Sequence, residues 1–184
     1  MLVGVTLTLS SAVASAPAAA SEIVTRDQTV VSLAPAAVAA GPYYMRFNHS
    51  SKCAQVPNAS RVSGVSLTQY TCLAQSNVWW YFDYQFYFDS VYWYRIRNAN
   101  SNLCMNVAGG SQANGARIIQ YGCGNFANEY FALWQATSMP SSHYFVEAYH
   151  SFKVLNIASG SLANGGQLIQ YTACYCANEY VRLS

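Results

Sequence analysis

Two stretches of the chain carry the same set of amide, carboxylate and aromatic side chains, fifty residues apart. One set is Asn106, Tyr121, Asn128 and Glu129, and the other is Asn156, Tyr171, Asn178 and Glu179. A tyrosine offers a flat aromatic face, and an asparagine side chain both donates and accepts hydrogen bonds. Such a set suits binding by stacking and hydrogen bonding.

These residues belong to an internal repeat. Residues 106–121 and 156–171 are identical or mildly different at most positions, and a weaker copy has Gln69-Tyr70 fifty-one residues before Gln120-Tyr121. Three copies at one period indicate one structural unit used three times. We place the copies at residues 42–85, 86–135 and 136–184.

Each copy shows short runs typical of β-strands, and no helical period persists. Asn114-Gly115 and Asn164-Gly165 precede strands and tolerate the positive φ angles of tight turns. Residues 79–94 are mostly aromatic and are predicted to form two strands with a turn near Asp89-Ser90. Three units are too few for a propeller, so we predict an all-β closed barrel with three hairpins capping one end.

Length and charge exclude several classes of protein. The 184 residues suffice for about one domain, and the formal charge of +2 is too small for a nucleic-acid footprint. Metal sites usually show closely spaced cysteine pairs of the C-x-x-C type, and none occurs here. We therefore predict no nucleic-acid partner, no metal and no cofactor.

Four of the six cysteines form two pairs of equal spacing. Cys53 and Cys72, like Cys104 and Cys123, are nineteen residues apart at equivalent positions of copies one and two. We predict two disulfides, each closing a loop of about 20 residues and contributing ~3 kcal/mol. Copy three has Val154 and Ala173 at these positions.

The remaining two cysteines, Cys174 and Cys176, stay unassigned at this stage. Residues two apart in a strand cannot easily bond each other. They are interpreted as free thiols or as partners of another chain.

The N-terminal segment indicates export. Residues 1–20 are small and apolar and end in a candidate cleavage site at 18–20, which predicts a signal peptide. A transmembrane helix is the alternative, but the many Ser, Ala and Thr residues make a poor span, and we predict none. Residues 21–41 are predicted to be a linker or pro-segment before a domain at 42–184. Disulfides agree with a secreted, extracellular protein.

Further motifs recur in register among the copies. Copy two has Cys104-Met105-Asn106, Asn114-Gly115, Tyr121-Gly122-Cys123 and Asn128-Glu129-Tyr130-Phe131; copy three has Val154-Leu155-Asn156, Asn164-Gly165, Tyr171 and Asn178-Glu179-Tyr180-Val181; copy one has Cys53-Ala54-Gln55, Tyr70-Thr71-Cys72 and Asn77-Val78-Trp79-Trp80. Each copy resembles a repeat of the ricin B-type lectin domain, from about residue 43 to the end. The resemblance implies a β-trefoil and a carbohydrate-binding protein without catalytic activity.

The resemblance implies glycans of the galactose or xylan type as ligands. A sugar has a C–H face that packs on an aromatic ring and a hydroxyl rim that needs donors and acceptors. We therefore predict Tyr121 and Tyr171 as stacking platforms. The hydroxyl partners would be Asn106 and Asn128 in copy two, and Asn156 and Asn178 in copy three. Glu129 and Glu179 would orient these amides or accept a further bond.

The chain departs from the family at one position of the expected site. The family's Asp is replaced by Asn106, Asn156 and Gln55. A charge-assisted bond is worth roughly 1.5–3 kcal/mol against about 0.5–1.5 for a neutral one, so we predict weak single-site binding, on the order of millimolar. Repetition would supply avidity. Copy one, with Gln55 and Val78, is predicted to be structural.

Structural roles compete with these predictions. Asn106 and Asn156 could cap turns, Tyr121 and Tyr171 could pack on the barrel, and Asn128 and Asn178 could satisfy buried backbone groups between repeats. Glu129 and Glu179 could be solvated surface residues.

Two other functions compete with glycan binding. A glycosidase would need Glu129 and Glu179 close together, whereas threefold geometry holds them apart. A trefoil that binds a partner protein, such as an inhibitor or a toxin-docking subunit, would use the aromatic segment 79–88 as an exposed patch, although packing of that segment between repeats is the simpler prediction.

Overall fold

The computed structural model describes residues 30–32, 34–35, 41–136 and 142–184. The predicted signal peptide therefore lies outside the described residues. The described residues form thirteen strands and contain no α-helix. The strands are β1 (Val30–Ser32), β2 (Tyr43–Phe47), β3 (Cys53–Gln55), β4 (Thr68–Tyr70), β5 (Trp79–Phe88), β6 (Val91–Asn98), β7 (Cys104–Val107), β8 (Ile118–Tyr121), β9 (Phe131–Ala136), β10 (His143–Ala148), β11 (Val154–Ile157), β12 (Leu168–Tyr171) and β13 (Val181–Leu183).

Six strands close into a barrel. Antiparallel pairing runs from β2 through β5, β6, β9, β10 and β13 and back to β2. The hairpins β3–β4, β7–β8 and β11–β12 branch from this ring, one from each repeat. Closure leaves the six barrel strands without a free edge. The predicted all-β trefoil is confirmed.

The repeats bury equivalent apolar residues in one core. Trp80, Phe131 and Val181 occupy corresponding positions and are at most 1% exposed. The hairpin strands β7 and β11 are buried along their whole length. Alternate side chains of these strands, Met105, Val107, Leu155 and Ile157, enter one core that all three repeats share, so the repeats fold only together.

The longest hairpin is the aromatic segment of copies one and two. Strands β5 and β6 meet at Asp89 and Ser90, with φ angles of 50° and 63°. Positive φ at both central residues matches the right-handed twist of a two-residue hairpin turn. The predicted turn is confirmed.

Three buried glutamines tie each repeat to its neighbour. Gln69, Gln120 and Gln170 are at most 1% exposed, and each side-chain amide donates to two backbone carbonyls of a loop in another repeat. The acceptors are Ser161 and Ala163 for Gln69 (2.6 and 3.0 Å), Ser60 and Val62 for Gln120 (3.0 and 2.9 Å), and Ser111 and Ala113 for Gln170 (2.7 and 3.1 Å). Repeat one thus donates hydrogen bonds to repeat three, repeat two donates to repeat one, and repeat three donates to repeat two. We call this ring of contacts the glutamine interlock.

The body of the fold includes a strand from the segment predicted to be a linker. Strand β1 pairs with β9, with Val30 opposite Ala136 and Ser32 opposite Trp134. The Ser32 hydroxyl oxygen accepts the backbone N–H of Tyr92 at 2.9 Å. The start of the domain at residue 42 remains a prediction, and β1 adds three residues that pair with the barrel before it.

The two predicted disulfides are present. Cys53 bonds Cys72, and Cys104 bonds Cys123, with Cα atoms 5.1 and 5.0 Å apart. Each joins the start of a hairpin to the loop that follows it.

The interpretation of Cys174 and Cys176 as free thiols or as partners of another chain was wrong, because they bond each other. That interpretation assumed a strand. Strand β12 ends at Tyr171, and Tyr175 has a φ of 56°, so the chain folds back and brings the two Cα atoms within 5.2 Å.

Candidate functional site

The predicted aromatic platform of repeat two lies on the outer face of the β7–β8 hairpin. Cys104 is opposite Tyr121, and Asn106 is opposite Ile119. Residues two apart on a strand share a face, so all four side chains lie on one side of the hairpin. Tyr121 is 48% exposed, whereas Asn106 is 4% exposed. Tyr121 is therefore an exposed ring on the same hairpin face as the buried Asn106, and it does not pack in the barrel.

Asn128 reaches this face from the loop before β9. Its amide donates to the Asn106 side-chain oxygen and to the Val107 carbonyl, both at 2.8 Å. The alternative role for Asn128, satisfying a buried backbone group, is thus partly realised, but within one repeat. Asn106 does not cap a turn, because its side-chain oxygen accepts from Asn128. The two predicted amides form one hydrogen-bonded pair.

A glycine lies beside the Asn128 amide in repeat two and beside the Asn178 amide in repeat three, and the residues predicted for the site did not include these glycines. Gly110 has a φ of 61°, and a Cβ atom placed on it would lie 4.0 Å from the Asn128 amide nitrogen. Gly160 repeats this relation with Asn178, also at 4.0 Å. Copy one has Ala59 at the equivalent position, with a φ of 50°. A methyl group therefore occupies the corresponding space only in copy one.

The carboxylate of Glu129 is an internal anchor. It is fully buried, and its Oε1 accepts the backbone N–H groups of Gly124 at 2.8 Å and Phe126 at 3.4 Å. The alternative that it is solvated does not hold. Glu129 cannot reach an external ligand in this conformation, and its role is to fold the loop that carries Asn128.

Repeat three builds the same arrangement. Tyr171 is 44% exposed on the hairpin face that also carries Asn156, and the Asn156 side-chain oxygen accepts the Asn178 amide at 2.8 Å. Here the carboxylate also contacts the amide pair, since Asn156 donates to Glu179 Oε1 at 3.1 Å. Glu179 therefore orients the Asn156 amide, which is one of the two roles that we predicted for it.

The loop around Glu179 differs from its counterpart in repeat two. Glu179 accepts the backbone N–H groups of Cys174 and Cys176, which take the places of Gly124 and Phe126. Burial raises the pKa of Glu179, while these N–H groups and the Asn156 amide oppose the shift. The Cys174–Cys176 disulfide thus closes the loop that folds over this carboxylate.

Repeat one keeps an exposed tyrosine at the equivalent position, but it has different side chains in place of the Asn–Asn–Glu set of the other repeats. Tyr70 is 38% exposed. The Gln55 amide donates to the Thr68 hydroxyl at 3.2 Å, and Asn77 donates to the Val56 carbonyl at 2.9 Å. Val78 stands where the other repeats have their glutamate. This copy lacks the carboxylate anchor, and its structural role remains a prediction.

A model of the ricin-type β-trefoil lectin domain-like family matches residues 31–121 and 84–171. The chain belongs to this family. The resemblance drawn from the three motif sets is therefore confirmed for most of the chain. None of the curated proteins matches this lectin-like chain in sequence.

Solved structures share the fold of this lectin-like domain. The designed threefold symmetric protein ThreeFoil is 28% identical, with a TM-score of 0.70 over 78% of this chain and 98% of that one. The exo-β-1,3-galactanase 1,3Gal43A from Clostridium thermocellum is 20% identical, with a TM-score of 0.70 over 77% of this chain and 29% of that one. The Macrolepiota procera ricin B-like lectin, solved with lactose, is 12% identical, with a TM-score of 0.64 over 78% and 94%.

The aromatic segment 79–88 is divided between packing and exposure. Trp80 is fully buried, and Phe86 packs edge-on against Tyr130 and Tyr149, as the packing prediction required. Beyond the bulge after Tyr84, however, the hairpin leaves Tyr87 54% and Phe88 59% exposed. The tip of the hairpin is therefore a separate aromatic surface.

Groups of three or more metal-binding side chains are absent from the described ranges. No helix in those ranges is long and apolar enough to cross a membrane.

A second carboxyl group of repeat three should make folding depend on pH. Glu147 lies on β10, opposite Ala132 of β9 and Val154 of β11. Burial raises its pKa from 4.5 to about 7, and the Trp134 indole only partly offsets this. The folded state therefore holds the proton more tightly than the unfolded chain does. The free energy of unfolding is therefore highest at pH values below 4.5, the pKa of Glu147 in the unfolded chain. It falls by up to about 3 kcal/mol as the pH rises through about 7.

Urea unfolding at about pH 4.5 and about pH 8 measures how far the free energy of unfolding falls with pH, which we call the pH slope. Glu147→Gln should remove the part of this pH dependence that Glu147 contributes, because the amide does not titrate, and the part from Glu179 should remain. Asp89→Asn, in the exposed β5–β6 turn, controls for the loss of one carboxylate elsewhere. Equal slopes for Glu147→Gln and the wild type would contradict the assignment.

Proposed function

We propose that the protein is a secreted, non-catalytic lectin that binds glycans at two equivalent sites, in repeats two and three. The observation that carries the proposal is a pattern that occurs twice: an exposed tyrosine shares a hairpin face with a buried asparagine, which accepts a hydrogen bond from a half-buried one. Tyr121 shares its face with Asn106, which accepts from Asn128, and Tyr171 shares its face with Asn156, which accepts from Asn178. The ring supplies the face that a sugar's C–H groups need, and the amides supply hydroxyl partners.

The buried glutamates serve this site indirectly. Glu129 and Glu179 fix the loops that carry Asn128 and Asn178, and Glu179 also fixes the Asn156 amide. A fixed amide loses little conformational entropy when a sugar binds. Catalysis is not proposed, because each carboxylate is buried in its own repeat.

Galactose-type glycans are the first ligands to test. One solved structure of similar fold is a lectin with lactose, and another is an exo-β-1,3-galactanase. Xylan-type glycans are the second class. The pairing of Cys53 with Cys72 and of Cys104 with Cys123 supports secretion, because such bonds persist in oxidising compartments.

A glycan array on the disulfide-intact protein tests the proposal, followed by titration with the best hit. We expect millimolar-order affinity for a monosaccharide and stronger retention on multivalent surfaces. An array without signal above background would refute it.

A protein-binding function is the second candidate, supported by the exposed hairpin tip. Tyr87 and Phe88 could contact a partner protein there. Substituting both with Ala should leave glycan retention unchanged if the lectin proposal is correct. Loss of glycan retention from that change alone would place the binding surface at the tip.

A further inference from the structure

Three basic side chains stand side by side on the outer wall of the barrel. Arg182 on β13 is directly opposite Arg46 on β2 and directly opposite His143 on β10. Cross-strand partners point to the same face, with Cβ atoms about 5 Å apart. Their neighbours Met45, Val181 and Tyr144 fill the core, so the three basic side chains point outward. We call them the cationic row.

The cationic row has no carboxylate partner. Arg97 and Asp83 form the one ion pair found among the described residues. The other described acids are the buried Glu129 and Glu179, Asp89 in the β5–β6 turn, and Glu147 on β10. Glu147 shares the outer face with His143 but lies four residues along the strand, about 13 Å away. The remaining acids of the seven, Glu22 and Asp27, lie outside the described residues.

Such an arrangement is unfavourable in the free protein. Like charges directly opposite each other in a sheet repel. Only 9% of all residues are charged, yet two of the arginines face each other here. Arg46 Nε and His143 Nδ1 are also buried without hydrogen-bond partners. An oxyanion placed on the row would relieve the repulsion and accept charge-assisted hydrogen bonds.

We propose that the cationic row binds an oxyanion carried by a glycan, either the carboxylate of an acidic sugar or a sulfate ester. The inference rests on the proposed lectin function and adds the charge of its ligand. A nucleic acid fits less well, because the formal charge of the whole chain is only +2. The row lies at the end of β10 remote from the repeat-three hairpin, so an acidic residue and a neutral residue of one glycan would occupy different places on the barrel.

The test compares retention on dextran sulfate and polygalacturonate, with uncharged dextran as the blank matrix. Arg46→Gln/Arg182→Gln is the test variant. Arg61→Gln/Arg117→Gln is the matched control, since it removes two exposed arginines elsewhere and lowers the net charge equally. We expect about tenfold weaker binding for each row arginine replaced, and no comparable change for the control.

Retention on only one matrix identifies the oxyanion and supports the proposal. Equal losses in the test and control variants, or no retention of the wild type on either matrix, would overturn it. Thermal unfolding separates binding from folding, because Arg182→Gln removes a repulsion and should not lower the melting temperature. A moderate concentration of sulfate should raise the melting temperature of the wild type more than that of the test variant.

The outcome for the row can be separated from the outcome for the tyrosine sites. If the array shows no neutral ligand while the anionic retention depends on the row, the tyrosine sites fail and the row stands. If neutral glycans bind and the row variants behave as the wild type does, the reverse holds.

Discussion

A chain carrying both Tyr121→Ala and Tyr171→Ala should fold normally and lose its retention on an uncharged glycan matrix. Each ring is about half exposed, at 48% and 44%, so its removal uncovers little core. We expect the free energy of unfolding to change by less than about 1 kcal/mol. Each ring is also the apolar platform of its proposed site, and the asparagine amides of that site cannot replace a stacking face.

The single substitutions should reveal how the two sites cooperate. With one site intact, the affinity for a monosaccharide stays nearly unchanged, while retention on a multivalent matrix falls roughly a hundredfold. With both sites removed, retention falls to background. Frontal affinity chromatography and isothermal titration calorimetry measure the two quantities.

The matched control is Tyr70→Ala in repeat one, where the carboxylate anchor is missing. It should keep most of the wild-type retention. Wild-type retention by the double variant would contradict the assignment of Tyr121 and Tyr171. A loss from Tyr70→Ala equal to that from either single variant would show that repeat one binds as well.

Gln120→Leu should destabilise the whole trefoil by about 3 kcal/mol, since three part-buried polar groups each lose a partner and such a loss costs about 1 kcal/mol or more. The Gln120 amide donates to the carbonyls of Ser60 and Val62, and its oxygen accepts the Ser101 hydroxyl at 2.8 Å. Leucine fills a similar volume but leaves the two carbonyl groups and the Ser101 hydroxyl without their hydrogen-bond partner.

Urea denaturation at constant pH measures the loss, with the midpoint falling and the slope unchanged if unfolding stays two-state. Gln112→Leu is the control for the same chemical change at an exposed site, and it should stay within about 0.5 kcal/mol of the wild type. A Gln120→Leu midpoint within that range would mean that the glutamine interlock contributes little.

The interlock also connects stability to the candidate site. Gln120 and Gln170 each precede the exposed tyrosine of their hairpin. One strand therefore carries both the glutamine of the interlock and the tyrosine of the candidate site. Because successive strand residues point to opposite faces, burying the glutamine exposes the tyrosine. Binding geometry in one repeat therefore depends on contacts with the next.

Local patterns were sufficient for the repeats, the β5–β6 turn and the pairing of Cys53 with Cys72 and of Cys104 with Cys123. Each depends on residues close in sequence or on the repeat period, and such relations survive without knowledge of the tertiary fold. The Gln-Tyr dipeptide in every copy also signalled the interlock, but alternation alone does not tell which of the two residues faces inward.

The sequence by itself determined that three similar β units form one closed body, and that two of them carry a tyrosine with two asparagines at matched spacing. Only the tertiary structure decided that Glu129 and Glu179 are buried anchors, that Cys174 and Cys176 bond each other, and that Arg46, Arg182 and His143 form a row. Loop folding fixes the first two features, and pairing between strands far apart in the chain fixes the third. Burial and cross-strand register depend on the surfaces that distant segments present to each other, and these surfaces exist only once the barrel has closed.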